Sequence, residues 1–247
     1  MVSHLKSLEV ERQILSVASK NHLLRELLSS EDVSDSLLPE LRPVSFSPNQ
    51  VLCEQGDKVD SVYFPLDCVV SLLGIMEDGT TVETSMVGRE GLVGISSILG
   101  SGICKQWIWV SISGEALQLD AKVLEKVFVA NEAALKALLG CYRALVTQVS
   151  QRCICNTRHT IQERLCCWLL TIHDRVGGTN LRLTQETIAS RVGARRAGIT
   201  VAAGLLQDVG AIEYRRGHLH IMNRQILEDM VCECYPLLQG VSLGSVD

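Results

Sequence analysis

The stretch from residue 183 to residue 222 constrains the fold of this chain more than any other part of its sequence. It holds two short segments with helical apolar spacing, separated by Gly193 and ended by Gly210. Thr184 is suited to cap the first helix, and Gly193 supplies a residue that adopts the left-handed conformation at a helix end. Two helices joined by such a tight turn predict a helix-turn-helix.

The second of these helices begins with two adjacent arginines, Arg195 and Arg196, and is followed by a basic hairpin. Free N–H groups at a helix start attract phosphate, and an arginine matches the two acceptors on the edge of guanine. The β-prone runs Ala211–Tyr214 and Leu219–Met222 flank the basic turn, which is suited to rest on phosphates as a wing. The order of these pieces predicts a winged helix-turn-helix that binds double-stranded DNA. The residues predicted to contact DNA are Thr184, Arg195, Arg196, Ala197, Thr200, Val201, Arg215, Arg216 and His218.

Charge is distributed unevenly along the chain. The net charge is −5, but residues 158–224 contain ten arginines and five acidic residues, so this stretch carries +5 and the rest −10. Such a split is typical of a nucleic-acid module attached to an acidic regulatory module. The start of the chain lacks the apolar core of a signal peptide, and no apolar run approaches the roughly 20 residues of a membrane span. We therefore expect a cytoplasmic protein without a membrane partner, and its ten cysteines are expected to be reduced thiols.

The N-terminal half predicts a helix followed by an antiparallel β structure. Apolar spacing predicts an amphipathic helix from Val10 to Leu28. From Val44 to Leu119 short β-prone runs alternate with turn signals and no helix intervenes, which is typical of an antiparallel, jelly-roll-like β-roll. The predicted strands are Ser61–Phe64, Val69–Met76, Thr81–Val87 and Trp107–Ser113.

Apolar residues between 135 and 149 recur at alternating steps of three and four. This spacing is typical of a helix that packs against a copy of itself, although packing of the helix on its own β domain is the alternative. The predicted dimer-interface residues are Leu135, Leu138, Tyr142, Leu145 and Val149. A further helix is predicted over Thr160–Arg175, with Leu165, Trp168, Leu169 and Ile172 facing inward.

The predicted fold is therefore α+β and has three segments. N-terminal helices and a β-roll sensor domain occupy residues 1–130, a long dimerisation helix occupies 131–157, and a winged-helix DNA-binding domain occupies 158–247.

From about Leu41 to Tyr235 the sequence resembles the Crp/Fnr family of bacterial transcription regulators, most clearly in LTQETIASRVGARRAGITVAAGLLQDVGAIEYRRGHLHI. The resemblance implies a cyclic nucleotide-binding-like β-roll, a dimerisation helix and a winged helix. It also implies a bacterial homodimer that reads an inverted repeat and contacts RNA polymerase. Arg196 matches the first base-reading residue of the family, but Ala197 and Val201 stand where the family has a glutamate and a second arginine. Thr200 and Val201 are predicted to contact a thymine methyl instead.

The family's nucleotide-binding members clamp the cyclic phosphate with a glycine-rich turn and a downstream arginine. This chain keeps a glycine-rich turn in Val87–Gly94, but Gln106 and Trp107 stand near the position of that arginine. Without it a buried phosphate lacks its bidentate cation, so control by cAMP in the usual way is not expected. The effector-pocket candidates are Gly88, Arg89, Glu90, Gly91, Gln106 and Trp107.

No metal, haem or iron–sulfur cluster is predicted. The cysteine pairs 153/155, 166/167 and 232/234 have spacings whose side chains diverge on a helix, and no Cys-x-x-Cys occurs. The family's cluster-binding branch uses N-terminal cysteines, and this chain has none before Cys53. His218 and His220 are interpreted as wing surface or phosphate contacts.

Two other classes of function are weighed against a transcription regulator. One is a ligand- or redox-sensing module whose helix-turn-helix serves protein interaction, which predicts no salt-dependent affinity for DNA. The other is an enzyme, but the sequence contains no Gly-x-Ser-x-Gly, His-Glu-x-x-His or P-loop motif, and no catalytic residue is predicted.

Overall fold

The computed structural model describes residues 14–243, with side chains up to residue 241. The described chain divides into two compact units, one of residues 14–70 and 87–144 and one of residues 71–86 and 145–243. Antiparallel strands, a long helix and a C-terminal helix-turn-helix follow one another, which confirms the predicted α+β class. No helix within residues 14–243 combines the length and apolarity that crossing a membrane requires.

The first unit opens with three short helices. Helical residues 14–18 (α1) precede α2 (His22–Leu27), α3 (Glu31–Leu37) and a 3-10 turn (Leu38–Glu40). The single helix predicted from Val10 to Leu28 is interrupted at residues 19–21, and its residues 10–13 lie outside the described part. The interruption has a local cause: the buried Asn21 caps α2 by accepting the N–H of Leu24 at 2.9 Å. Its amide also donates to the carbonyls of Pro65 and Gly91, at 3.0 and 2.9 Å.

The strands of the β-roll are short and antiparallel. They are β1 (Arg42–Phe46), β2 (Val51–Cys53), β3 (Ser61–Pro65), β4 (Val69–Ile75), β5 (Thr81–Val87), β6 (Trp107–Ile112) and β7 (Gly114–Asp120). Strand β7 lies between β1 and β3, and β2 pairs with β6. The four predicted strands occur within a residue or two of their expected bounds; β1, β2 and β7 were not predicted. A short helix, α4 (Ser96–Leu99), lies between β5 and β6.

A largely aliphatic core fills the first unit. It combines side chains of the N-terminal helices with inward residues of β3 and β7, such as Phe64 and Leu117. Helix α5 (Ala121–Ala130), capped by Asp120, adds Leu124 and Phe128. The long helix α6 (Glu132–Arg158) begins against this core through Ala134 and Leu138.

Helix α7 (Ile161–Val176) forms the centre of the second unit. It starts with a capping box between Thr160 and Glu163 and ends at Gly177, whose φ is 65°. Its predicted inward residues Leu165, Trp168, Leu169 and Ile172 are all buried. The remaining elements are β8 (Asn180–Arg182), α8 (Gln185–Val192), α9 (Arg196–Asp208), β9 (Ile212–Arg215), β10 (His218–Ile221), α10 (Arg224–Met230) and α11 (Tyr235–Leu243). Helices α10 and α11 were not predicted.

A buried carboxylate on the β4–β5 hairpin joins several elements of the second unit. Glu83, whose side chain is fully buried, lies 3.0 Å from Arg152 of α6 and 3.8 Å from Arg191 of α8. It also accepts hydrogen bonds from the indole N–H of Trp168, at 3.0 Å, and from Ser71. Arg152 in turn donates to the backbone carbonyl of Arg191 at 2.6 Å. This ion network fixes the C-terminal end of α8, the first helix of the helix-turn-helix.

Candidate nucleic-acid interface

Helices α8 and α9 form the predicted helix-turn-helix. Thr184 caps α8 by accepting the N–H of Thr187 at 3.1 Å, and Gly193 ends it with a φ of 69°. Helix α9 starts at Arg196, and the preceding Arg195 makes no side-chain cap. The first-turn N–H groups of α9 are therefore not capped by a side chain at the N-cap, in the position where a helix attracts phosphate.

The outward face of α9 carries the residues predicted to read bases. Arg195, Arg196, Ala197 and Thr200 are exposed, and Val201 is 65% exposed. The Thr200 hydroxyl lies 3.0 Å from the side-chain oxygen of Gln185 and 3.1 Å from the carbonyl of Arg196. On the opposite face Ile199, Ala202, Ala203 and Leu206 are buried.

Leu205 is a second apolar side chain on the outward side of α9, and it is 46% exposed. It follows Val201 by four residues and so lies on the same side of α9. Val201 and Leu205 give this face an apolar strip next to its arginines, which is chemistry suited to the methyl group of thymine.

The predicted wing is a hairpin with a two-residue turn. Strands β9 and β10 pair from Ile212↔Ile221 to Arg215↔His218. The turn residues Arg216 and Gly217 have φ values of 50° and 81°, so both adopt the left-handed region of a type I′ turn. An arginine is unfavourable there, because its Cβ crowds the backbone. The wing therefore carries the exposed guanidinium of Arg216 at its tip in spite of this backbone strain.

A row of basic side chains crosses the wing sheet, and one of its members was not predicted. Strand β10 lies between β8 and β9, and the register aligns Arg182, His218 and Arg215 across the three strands. Residues directly opposite each other in antiparallel strands share a face, and all three are exposed. The alternation in Leu181-Arg182-Leu183, buried at both leucines, was the available sequence signal for β8.

Hydrogen bonds fasten the wing to the helix-turn-helix. The N–H of Tyr214 donates to the side-chain oxygen of Gln207 at 2.8 Å, and its hydroxyl donates to the carbonyl of Leu183 at 3.0 Å. Burial raises the pKa of Tyr214, and the charge of Arg196 opposes that rise. The wing and the start of α9 are therefore neighbours on one surface, and all nine residues predicted to contact DNA are exposed.

Helix α6 presents an apolar stripe that differs from the predicted seam. Leu138 is fully buried in the core of the first unit, which corrects its assignment to the dimer interface. Leu145 and Val149 are half-buried. Four of the exposed large apolar side chains of α6 follow one another at steps of four, three and four and are each 38–49% exposed; they are Leu135, Leu139, Tyr142 and Val146. We call this set the α6 stripe.

The glycine-rich turn of the first unit uses its own polar groups internally. The N–H of Gly88 donates to the Glu90 carboxylate at 3.1 Å, and the N–H of Gly91 donates to the Gly88 carbonyl at 3.2 Å. The Arg89 carbonyl accepts the N–H of His22 at 2.7 Å. A Cβ added at Gly91 would lie 3.3 Å from the Cys141 sulfur of α6. Because the N–H groups of Gly88 and Gly91 are engaged within the turn, this packing does not favour the use of these two groups to hold a phosphate.

The predicted effector residues also lie away from two cavities of the first unit. These cavities have volumes of about 360 and 210 Å³ and share Leu52 and Tyr63 in their walls. Val93 and Gly94, at the end of the glycine-rich turn, line the smaller cavity, but neither cavity is lined by Gly88–Gly91, Gln106 or Trp107. Gln106 lies in the loop before β6 and Trp107 begins that strand, and both side chains are half-buried.

Comparison with known proteins matches both halves of the chain. Residues 43–131 match the cyclic nucleotide-binding domain family, and residues 163–230 match the Crp-like helix-turn-helix domain family. A search of curated proteins finds no match to the sequence.

Three solved structures illustrate the likeness of the fold. FixK2 from Bradyrhizobium japonicum is 16% identical, with a TM-score of 0.66 over 78% of this chain and 98% of its own. A CRP-family transcriptional regulator from Thermus thermophilus, TTHB099, is 13% identical, with a TM-score of 0.63 over 76% and 95%. CLP, a c-di-GMP responsive global regulator from Xanthomonas campestris, is 15% identical, with a TM-score of 0.60 over 78% and 100%. At these identities the likeness shows the fold alone.

The two family matches agree with the elements that the structure contains. Residues 43–131 cover the β-roll and α5, and residues 163–230 run from α7 through the helix-turn-helix and the wing to α10. The matches therefore confirm the resemblance seen in the sequence. This chain belongs to the Crp/Fnr family of transcription regulators, and combines a domain of the cyclic nucleotide-binding family with a Crp-like DNA-binding helix-turn-helix.

Proposed function

We propose that this protein regulates transcription as a homodimer that reads an inverted-repeat operator in the bacterial cytoplasm. The observation that supports the proposal best is the exposed start of α9, which carries Arg195 and Arg196 and lies close enough to the wing for the charge of Arg196 to act on Tyr214. Two copies related by a two-fold axis would place their α9 helices in successive major grooves, about one helical turn of DNA apart. RNA polymerase is the expected partner on the promoter, and we assign no enzymatic activity.

Within this proposal the contacts to DNA fall into two groups. Arg196, Thr200 and Val201 read base edges, since they lie on the outward face of α9. Arg182, Arg215, Arg216 and His218 contact phosphates, because they are exposed on the wing sheet and its tip. Base contacts give specificity, whereas phosphate contacts give affinity that depends on salt.

The α6 stripe supports the dimer. Its spacing of four, three and four residues is that of a coiled-coil seam, and it leaves four large apolar side chains exposed on one helix. In a dimer the stripes of two α6 helices would cover each other.

The base-reading role of Arg196 is tested by its replacement with alanine. We expect a loss of about 1–3 kcal/mol in binding to the preferred operator and relaxed discrimination at one base pair, because one base-edge contact is removed. Operator selection from random duplex DNA, followed by binding titrations at fixed salt, measures both.

Arg25→Ala, which changes an exposed arginine of the first unit, is the control and should bind normally. Equal losses on every sequence would contradict the base-reading role. Wild-type protein that binds no duplex DNA at low salt would favour a protein-interaction module instead.

The wing turn is tested by Arg216→Asn. Asparagine tolerates the left-handed conformation, so we expect the free energy of unfolding to rise by about 1 kcal/mol. DNA affinity should fall for all sequences, and the salt slope should decrease by about 0.9 because one phosphate contact is lost. Denaturant titrations and binding at several salt concentrations measure these effects. Arg215→Asn, at an ordinary strand position, should lose affinity without gaining stability; a gain as large as that at Arg216 would refute the strain argument.

Control by cAMP is proposed to be absent, because the glycine-rich turn uses the N–H groups of Gly88 and Gly91 internally. A ligand bound at a hundredfold excess over its dissociation constant stabilises a protein by about 2.7 kcal/mol. Binding of cAMP would thus raise the melting temperature measurably. Since we expect no binding, millimolar cAMP should leave the melting temperature unchanged relative to 5′-AMP. A saturable rise with cAMP alone would show that the turn rearranges to hold a cyclic phosphate.

A further inference from the structure

Four side chains with metal-binding atoms meet in the second unit, and none of them is among the residues assigned to DNA. Cys155 lies in the last turn of α6 and His159 follows the end of that helix, four residues later. Cys232 and Cys234 lie on the segment between α10 and α11. The three sulfurs and a ring nitrogen of His159 all lie within 4.8 Å of one another.

Two of the six distances within this group match those between the ligands of a tetrahedral zinc ion, and the others do not exceed 4.8 Å. The Sγ atoms of Cys155 and Cys232 are 3.7 Å apart, and the Sγ of Cys234 is 3.5 Å from Nδ1 of His159. Zinc binds thiolate sulfur at ~2.3 Å and imidazole nitrogen at ~2.0–2.1 Å, so a tetrahedron places two sulfurs ~3.8 Å apart and a sulfur and a nitrogen ~3.6 Å apart.

The orientation of the imidazole is set by a carboxylate. Nε2 of His159 lies 3.1 Å from a carboxylate oxygen of Glu233, the residue between the two cysteines. When Nε2 carries the proton and donates it to Glu233, Nδ1 presents its lone pair toward the sulfurs. A carboxylate that holds the second ring nitrogen in this way is the usual partner of a histidine bound to a metal.

The donor atoms are shielded from water. Cys155, Cys232 and Cys234 are 5%, 3% and 1% exposed, and the His159 side chain is 10% exposed. Glu233 itself is exposed, so its carboxylate reaches the ring from the solvent side. Four protein ligands in a buried tetrahedron leave no position for a substrate, which is the mark of a structural site and not of a catalytic one.

The geometry points to a structural zinc site formed by Cys155, His159, Cys232 and Cys234. Soft thiolates with one imidazole in a tetrahedral arrangement select zinc over magnesium, calcium or manganese. Binding of Zn²⁺ displaces one proton from each of the three thiols, so the bound site carries a charge of −1. The ion would clamp the end of α6 to the segment that precedes α11.

The zinc content of the full-length protein, purified under reducing conditions without a chelator, tests the site. Metal analysis is expected to find one zinc ion per chain in the wild type and a large loss in Cys155→Ser and Cys232→Ser. The matched control is Cys153→Ser, which changes an exposed thiol two residues earlier on the same helix and should keep the full zinc content. Equal zinc content in all four proteins would overturn the proposal.

A measurement on the wild type keeps the test valid even if the cysteine variants fail to fold. Protein stripped with a chelator is titrated with Co²⁺, which gives visible d–d bands and a thiolate charge-transfer band in a tetrahedral thiolate site. We expect both bands to saturate at one ion per chain and to disappear when zinc is added. Absence of the bands, or a disulfide between Cys155 and Cys232 found by mass spectrometry in the reduced preparation, would overturn the site. DNA affinity is measured on the same samples, so the site and the proposed function can fail separately.

Discussion

Replacement of Glu83 by alanine is expected to lower the free energy of unfolding of the second unit by about 3–5 kcal/mol. The change leaves Arg152 and Arg191, at 3.0 and 3.8 Å from the carboxylate, without their shared counter-charge in a buried environment. It also removes the acceptor for the indole N–H of Trp168. Urea or guanidinium titrations followed by tryptophan fluorescence measure the loss.

The matched control for this prediction is Glu77→Ala on the same β4–β5 hairpin. Glu77 is exposed at the turn, so its removal should change the free energy of unfolding by no more than about 0.5 kcal/mol. Glu83→Gln should lie between the two, because the amide oxygen can still accept a hydrogen bond while the charge is lost. A loss from Glu83→Ala as small as that from Glu77→Ala would show that the buried arginines find other partners.

Introducing glutamates at Leu139 and Val146 together is expected to convert the proposed dimer into monomers and to weaken operator binding roughly 10²–10⁴-fold. Like charges on the α6 stripe would face each other across the two-fold axis, and each monomer would then bind its half-site alone. Both side chains are nearly half exposed, so the folded unit should tolerate the changes. Sedimentation and operator titrations measure the two effects.

Ala133→Glu serves as the control for the stripe, since it adds the same charge to an exposed position on the other side of α6. It should stay dimeric and bind normally. A double variant that keeps the wild-type mass in sedimentation would exclude the α6 stripe as the dimer interface. A wild type that is monomeric at operator-binding concentrations would exclude the dimer itself.

Local chemistry explains why the helix-turn-helix was predictable. Thr184 caps α8, and the glycines at 193 and 210 adopt φ values of 69° and 74° at the two helix ends. Each signal acts within a few residues, so the sequence carries it without knowledge of the fold. The exposure of Arg195 and Arg196 was predictable as well, because the buried Ala202 and Ala203 define the inward face of α9 and the helical periodicity places the arginines away from it.

Features that depend on distant segments were missed. The steps of three and four in α6 fit two faces, and only packing on the first unit decides that Leu138 belongs to the core and Leu139 to the surface. Arg182 joins the wing through a three-residue strand whose partner lies far along the chain. The spacing argument against a metal considered each cysteine pair by itself, whereas Cys155 and Cys232 come together from different elements.

The central position of β10 in the wing sheet also determines when the DNA-binding region is completed during synthesis. Strands β8 and β9 each pair with β10, yet β10 is the last of the three in the chain. Until residues 218–221 have left the ribosome, β8 and β9 lack the neighbour that satisfies their backbone hydrogen bonds. A nascent chain stalled before His218 would therefore carry both helices of the helix-turn-helix next to an incomplete sheet. The unpaired strands β8 and β9 would be accessible to chaperones and proteases.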